Sequence, residues 1–224
     1  MHFCPASDQS LLIYLGDEIS LSSHERVLKL LRLLQKEPPA WLRNIQPAYC
    51  SLMLTFDACR VDHGEVERVL RQFEQRAASL RPPKPRKVEI PVCYDAEFAP
   101  DLEDVAKANG LKPRDIVRIH TSRPYHAYFL GFAPGFAYLG DLPDEIVMPR
   151  LDVPRKKVPA GSVAIAGKQT AVYPFSTPGG WRLIGRTPLT LFRGDRQPME
   201  LISIGDEVRF NAISSREFSE LAAQ

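Results

Sequence analysis

Residues 161–170 read GSVAIAGKQT, and the choice between two readings of this stretch sets the fold. As a glycine-rich loop ending in lysine it would cradle phosphate in a nucleotide-binding α/β fold. The Walker spacing, however, requires four residues between the glycines and Ser or Thr directly after Lys. Here five residues separate Gly161 from Gly167, and Gln169 follows Lys168. The intervening SVAIA is itself a short apolar run of strand composition, which would hold the two glycines apart. The strand reading stands.

Its surroundings agree. From residue 127 onward short apolar runs alternate with Pro and Gly: AYFLGF, GSVAIAG, TAVYP, WRLIGRT, LTLF, MELISI and DEVRF. Many short strands with frequent turn signals indicate a β-barrel or sandwich. Just upstream, Asp101 is read as the cap of DLEDVAKANG with Gly110 as its stop, and Pro113 opens a second helical turn running to about His120. The first 80 residues have a different rhythm. LLIYL (11–15) reads as a strand, and Ser22 with Glu25 gives a capping-box signature. Val27, Leu30, Leu31 and Leu34 then share a helical face until Pro38-Pro39. RNIQPAY (43–49) and SLMLTF (51–56) read as strands, and Val66, Val69, Leu70, Phe73, Ala77 and Leu80 as a second helix. If VEIPVCY (88–94) adds the last strand, the order is β-α-β-β-α-β, a ferredoxin-like α+β arrangement. The proline-broken basic run RPPKPRK (81–87) is read as a linker. The expected organisation is an α+β domain over residues 1–86 and a mainly β barrel domain over 87–224.

Composition excludes several classes of function. A hydrophobic share of 44% and a charged share of 25% are those of an ordinary globular chain. A formal net charge of only +2 implies no bulk attraction to nucleic acid. No apolar run approaches the roughly 20 residues that span a bilayer, and MHFCPASDQS lacks the pattern of a signal peptide. Cys4, Cys50, Cys59 and Cys93 form no C-x-x-C pair, which suits a reduced, cytoplasmic protein. The histidines show no metal-ligand spacing, so no metal site is expected. Ser162 lacks the second glycine of a nucleophile elbow.

Two segments carry candidate chemistry. FLGFAPGFAYLG (129–140) alternates glycine with aromatics around Pro134, which reads as a shaped loop. Gly135 and its fellow glycines let the backbone bend or be approached, while Phe132, Phe136 and Tyr138 form walls. YPFSTPGGWRLIGRTP (173–188) offers Gly179-Gly180 as backbone donors toward an anion, Trp181 as a flat apolar face and Arg186 as a carboxylate clamp. A barrel hairpin with a plain Pro-Gly-Gly turn and a core Trp explains the same residues. Arg150, in the proline-stiffened PRLDVPRKKVPAG (149–161), is a second candidate clamp.

FLGFAPGFAYLG, MPRLDVPRKKVPAGSVAIAGKQTAVYP and STPGGWRLIGRTPLTLF closely resemble the B-component family of bacterial 5-oxoprolinases, also known as the Kip-inhibitor or allophanate-hydrolase-subunit-1 family. The similarity runs from GDEISLSSHERVLKLL to GDEVRF. This chain has Arg150-Leu151 where the family commonly has a second arginine, and Gln169-Thr170-Ala171 where it usually has QTG. The resemblance implies an N-terminal α/β domain and a C-terminal cyclophilin-like barrel. It also implies work with C and A subunits that together cleave 5-oxo-L-proline to L-glutamate with ATP, and hence Mg. A Kip-inhibitor branch instead binds a histidine kinase, which supplies the alternative. On these segments the chemistry assigns His120 to proton transfer, and Arg150 or Arg186 to the substrate carboxylate. Gln169, Thr170 and Thr187 are assigned to orienting the ring amide.

Overall fold

A computed structural model describes residues 1–223. The chain divides into two units, Met1–Lys84 and Pro85–Gln224. In the first, strands β1 (His2–Ser7), β2 (Ser10–Tyr14), β3 (Leu42–Pro47) and β4 (Ser51–Phe56) form one antiparallel sheet in the order β1-β2-β4-β3. Helices α1 (Leu21–Lys36) and α2 (His63–Ala78) complete the unit. Period-two alternation explains the sheet's single buried face. Leu11 and Ile13 of β2, with Leu52, Leu54 and Phe56 of β4, are fully buried, while Leu12, Met53 and Thr55 between them are not. Val27, Leu30, Leu31 and Leu34 of α1 supply the facing apolar stripe.

Two expectations are corrected here. The α1 cap is Ser20, whose hydroxyl accepts from the Ser23 N–H at 3.2 Å, rather than Ser22. The fourth strand of the sheet is β1, which lay unread in the first ten residues, and not residues 88–94. β1 is an edge strand with mostly exposed side chains and a proline at position 5, so it carries little alternation to read. It reaches the edge through a tight hairpin with β2, and so short a loop closes at little entropic cost.

Residues 88–94 instead belong to the second unit. There β5 (Lys87–Cys93), β6 (Tyr125–Leu130), β7 (Ala137–Gly140), β9 (Ser162–Ala166), β10 (Gln169–Val172), β12 (Arg182–Arg186) and β13 (Glu207–Ile213) close a seven-stranded barrel in the order β10-β7-β6-β13-β5-β12-β9. β5 pairs in parallel with β13 along its whole length, from Lys87 opposite Glu207 to Cys93 opposite Ile213. All other barrel pairs are antiparallel. A short ribbon of β8 (Arg155–Val158) and β11 (Thr177–Gly179) lies beside the barrel.

Alternation assigns the two faces of this barrel wall. Val88, Ile90 and Val92 of β5, Val163 and Ile165 of β9, and Val208 and Phe210 of β13 join one core. Helices α3 (Leu102–Ala108) and α4 (Pro113–Thr121) add Val105 and Ile116 to it. The residues between point the other way. Ala164 and Ala166 of β9, Ala171 of β10 and Leu183 of β12 form a second cluster with Phe136, Tyr173 and Trp181. Small alanines on the outer face thus leave room for large aromatics to lie on the barrel. A final helix, α5 (Ser215–Ala222), follows β13.

Asp101 does not cap α3 with its side chain. Its carboxylate, almost fully buried, accepts from the Leu183 N–H at 2.6 Å and from Arg155 Nη2 at 2.5 Å. Its own N–H donates to Leu183 O at 3.0 Å, so Asp101 ties α3 to β12 and β8 at once.

Candidate functional site

The segment FLGFAPGFAYLG is not loop throughout. Its ends lie in β6 and β7, and only residues 131–136 form the connection. The Gly131 N–H donates to Phe136 O at 3.1 Å, closing the hairpin. Gly135 has φ +78°, and a Cβ there would meet Phe192 Cβ at 2.8 Å, so glycine is required. Phe132 has φ +68°, a left-handed conformation that is costly for a bulky residue, and its ring is 64% exposed. Strain at an exposed aromatic marks a position held for something other than stability.

That ring stands at the mouth of a cleft of about 160 Å³. Phe136, Tyr138, Tyr173 and Trp181 wall it, with Phe136 packed edge-on at 5.3 Å from Tyr173 and 5.7 Å from Trp181. Arg150 lines the rim, its Cζ 5.9 Å from the Trp181 ring centroid. The Leu151 N–H donates to Gly180 O at 2.7 Å and holds the arginine's loop in place. Gly179 serves as a point of close approach: a Cβ there would lie 2.3 Å from Tyr173 Oη. Burial raises the pKa of the Tyr173 and Tyr138 phenols, with Arg150 pulling weakly the other way. At neutral pH both remain O–H donors.

Of the residues singled out in the sequence, Phe132, Phe136, Tyr138, Arg150, Gly179, Gly180 and Trp181 converge on this cleft. Trp181 satisfies both readings offered for it, being buried in the outer aromatic cluster and a wall of the cleft. Leu151, Pro154 and Tyr173 line it as well and were missed. Tyr173 had a usable signal, since it follows Ala171 at the outward-facing period. Pro134 and Gly135 shape the loop without lining the cleft. Gln169 begins β10 outside the lining.

His120 and Thr170 do not reach the cleft, which corrects their expected roles. Both are fully buried in the barrel. His120 Nδ1 is 2.8 Å from Tyr94 Oη, and Nε2 is 3.0 Å from Thr170 Oγ1. Thr170 donates its hydroxyl proton to Ala164 O at 3.0 Å, so it accepts from Nε2–H, and Tyr94 donates to Nδ1. One neutral tautomer satisfies every bond. Burial lowers the His120 pKa from 6.5 to about 3. Its ring also stacks on Phe210 at 4.6 Å. This histidine organises a core.

Arg186 and Thr187 border a different cleft, of about 380 Å³, with Gly161 in its floor. Gly161 has φ +80°, and a Cβ there would lie 2.3 Å from Thr187 O, a backbone atom that cannot give way. Gly161→Ala is expected to destabilise the barrel by about 3 kcal/mol, from backbone strain and steric clash together. Urea titration followed by tryptophan fluorescence checks it, and an unchanged midpoint contradicts it.

Residues 1–202 match the family described as carboxyltransferase domain, subdomain C and D. The chain belongs to that family. Among relatives of this carboxyltransferase subdomain protein, the 5-oxoprolinase B component of Bacillus subtilis (strain 168) is 44% identical over 222 residues, covering 94% of this chain and 92% of the relative. The protein of the same name from Haemophilus influenzae is 36% identical, covering 94% and 97%. The family expected from the motifs is thus the one found. The solved structure of TTHA0988 superposes with a TM-score of 0.82 at 34% identity over 93% of this chain. The chain spans 41% of the length of that structure's chain. The K. lactis urea amidolyase, at 17% identity and a TM-score of 0.78 over 97% of this chain and 15% of that one, shares the fold.

Proposed function

We propose that this chain is the B component of an ATP-dependent 5-oxoprolinase, converting 5-oxo-L-proline to L-glutamate together with A and C subunits. One observation carries the reading. A chain aligned over nearly its full length with proteins named as the B component of 5-oxoprolinase builds, on the motif segments of that family, an aromatic cleft with an arginine at its rim. Its volume of about 160 Å³ lies well below that of pockets for drug-sized ligands, roughly 300–1,000 Å³. That suits a single small ring. Arg150 binds the ring's carboxylate, and Phe136, Tyr138 and Trp181 exclude water from the amide. Tyr138 and Tyr173, kept protonated by burial, offer O–H donors to the ring carbonyl.

The lining contains no carboxylate, histidine or lysine. This chain therefore recognises and orients the lactam, and proton transfer and phosphoryl transfer fall to groups on its partners. ATP is used by the assembled complex. The residues here do not fit an ATP·Mg site: residues 162–172 run as β9 and β10, and among the described residues no three His, Cys, Asp or Glu gather as metal ligands. We read the barrel as cyclophilin-like and the first unit as a ferredoxin-like layer whose fourth strand comes from the N-terminal hairpin. Among the described residues no helix is long and apolar enough to cross a membrane, and all four cysteines are unpaired, which supports a cytoplasmic setting.

The test is 5-oxoproline-dependent ATP hydrolysis by the chain mixed with its A and C partners. Turnover that disappears when the chain is omitted supports the reading. Turnover that is unaffected by omission contradicts it. In the same assay Arg150→Gln is expected to lower kcat/KM about tenfold, mainly through KM, as loss of one charge-assisted contact at an exposed rim. An unchanged KM removes Arg150 from the site.

A further inference from the structure

We infer that the cleft beside Arg186 is a second binding site, separate from the aromatic cleft, for a small carboxylate carried on an apolar body. Arg186 ends β12, and its Nε donates to Ala160 O at 2.9 Å, which fixes the plane of the guanidinium. Among the described residues it has no carboxylate partner, and that bond leaves both terminal nitrogens without one. Thr187, only 2% exposed, accepts from the Leu189 N–H at 3.2 Å, and its hydroxyl proton remains to be donated. The polar groups offered are therefore donors, beside a permanent positive charge. A buried hydroxyl and an unpaired arginine are costly to hold without an acceptor, and a carboxylate satisfies both.

The remaining walls decide what carries the carboxylate. Phe175, Phe218, Pro174, Pro188 and Leu189 make the cleft apolar away from Arg186. Phe175 is 39% exposed, an uncovered aromatic edge. Phe218 is fixed by its contact with Phe98 at 4.4 Å between ring centroids, so α5 forms a firm side wall. The floor is equally firm: the Gly161 N–H donates to Tyr173 O at 2.7 Å, and the Thr187 N–H to Gly161 O at 2.9 Å. A volume of about 380 Å³ exceeds that of the aromatic cleft and admits a ring together with a short acid chain. A bare inorganic anion would use the arginine and waste the walls.

The experiment titrates the full chain with 3-phenylpropionate, by calorimetry and ligand-observed NMR, using 3-phenylpropanamide and inorganic phosphate for comparison. Saturable binding of the acid is expected. Arg186→Gln weakens it about tenfold, and Thr187→Val about threefold, in variants whose thermal unfolding shows them folded. Arg150→Gln leaves it unchanged, and 5-oxoproline does not compete, so the result stands apart from that of the aromatic cleft. Four results overturn the inference: no saturable binding, equal binding of the amide, phosphate binding as tightly as the acid, or full affinity in folded Arg186→Gln.

Discussion

Asp101→Ala is expected to destabilise the barrel unit by about 3 kcal/mol, the lower end of the range for breaking a buried ion pair, and to lower its Tm by about 10 °C. The Asp101 side chain is 5% exposed and that of Arg155 28%, so water relieves part of the cost on the arginine side. Three losses combine. The Leu183 N–H loses its side-chain acceptor in a buried strand, and Arg155 loses its counter-ion while its Nη1 is already buried without a partner. The tie from α3 to the ribbon is also cut. Asp101→Asn keeps an acceptor for Leu183 and is expected to recover less than half of the loss, because the charge on Arg155 stays uncompensated. Thermal unfolding by near-ultraviolet circular dichroism measures both variants. Equal stability of wild type and Asp101→Ala would show that the pair contributes nothing. The consequence reaches the cleft, because Arg155 follows the wall residue Pro154 and Leu183 lies two residues after Trp181. Turnover of the reconstituted complex should therefore fall further than the folded fraction alone predicts.

How much of this arrangement was legible in the sequence depends on whether its determinants are local. β4 was read at its observed limits because Leu52, Leu54 and Phe56 alternate with partly exposed neighbours. SVAIA was read as a strand although both of its faces are buried, because glycines bound it and its spacing fails the phosphate-loop pattern. Pairing partners were not legible. Nothing within KVEIPVC says that its neighbour is β13, more than a hundred residues away, and the same run fits the first sheet equally well. Asp101 was misread for a similar reason. An aspartate before an amphipathic run signals a cap, and only the fold brings Leu183 and Arg155 close enough to claim its carboxylate instead. At the cleft, glycine and aromatic composition pointed to seven of the lining residues, since loops that need special backbone conformations advertise themselves. The two arginines were equivalent in sequence, and only the barrel's register sends Arg150 to one cleft and Arg186 to another.

His120 gives the clearest separation between a catalytic and a structural histidine, through the pH dependence of stability. Its pKa is lowered by burial from 6.5 to about 3 in the folded chain. Between those values the unfolded chain binds a proton that the folded one refuses, so acidification favours unfolding. The stabilisation is fully present above pH 6.5 and is lost as pH falls toward 3, amounting to about 3 kcal/mol by pH 4. His120→Gln keeps a neutral polar group and removes this titration. The stability gap between wild type and His120→Gln is therefore expected to narrow by about 3 kcal/mol from pH 7 to pH 4, as read from urea unfolding at each pH. Comparing the two proteins cancels the surface carboxylates, which titrate alike in both. The imidazole resonances of His120 should also stay fixed between pH 5 and 8. A proton-transferring histidine at the cleft would instead titrate near neutrality, leave the gap constant through that range, and give turnover an inflection near pH 6.5 that His120→Gln abolishes. The buried relay from Tyr94 through His120 and Thr170 to Ala164 O leaves no path for such a proton, because every donor in it is already committed to its neighbour.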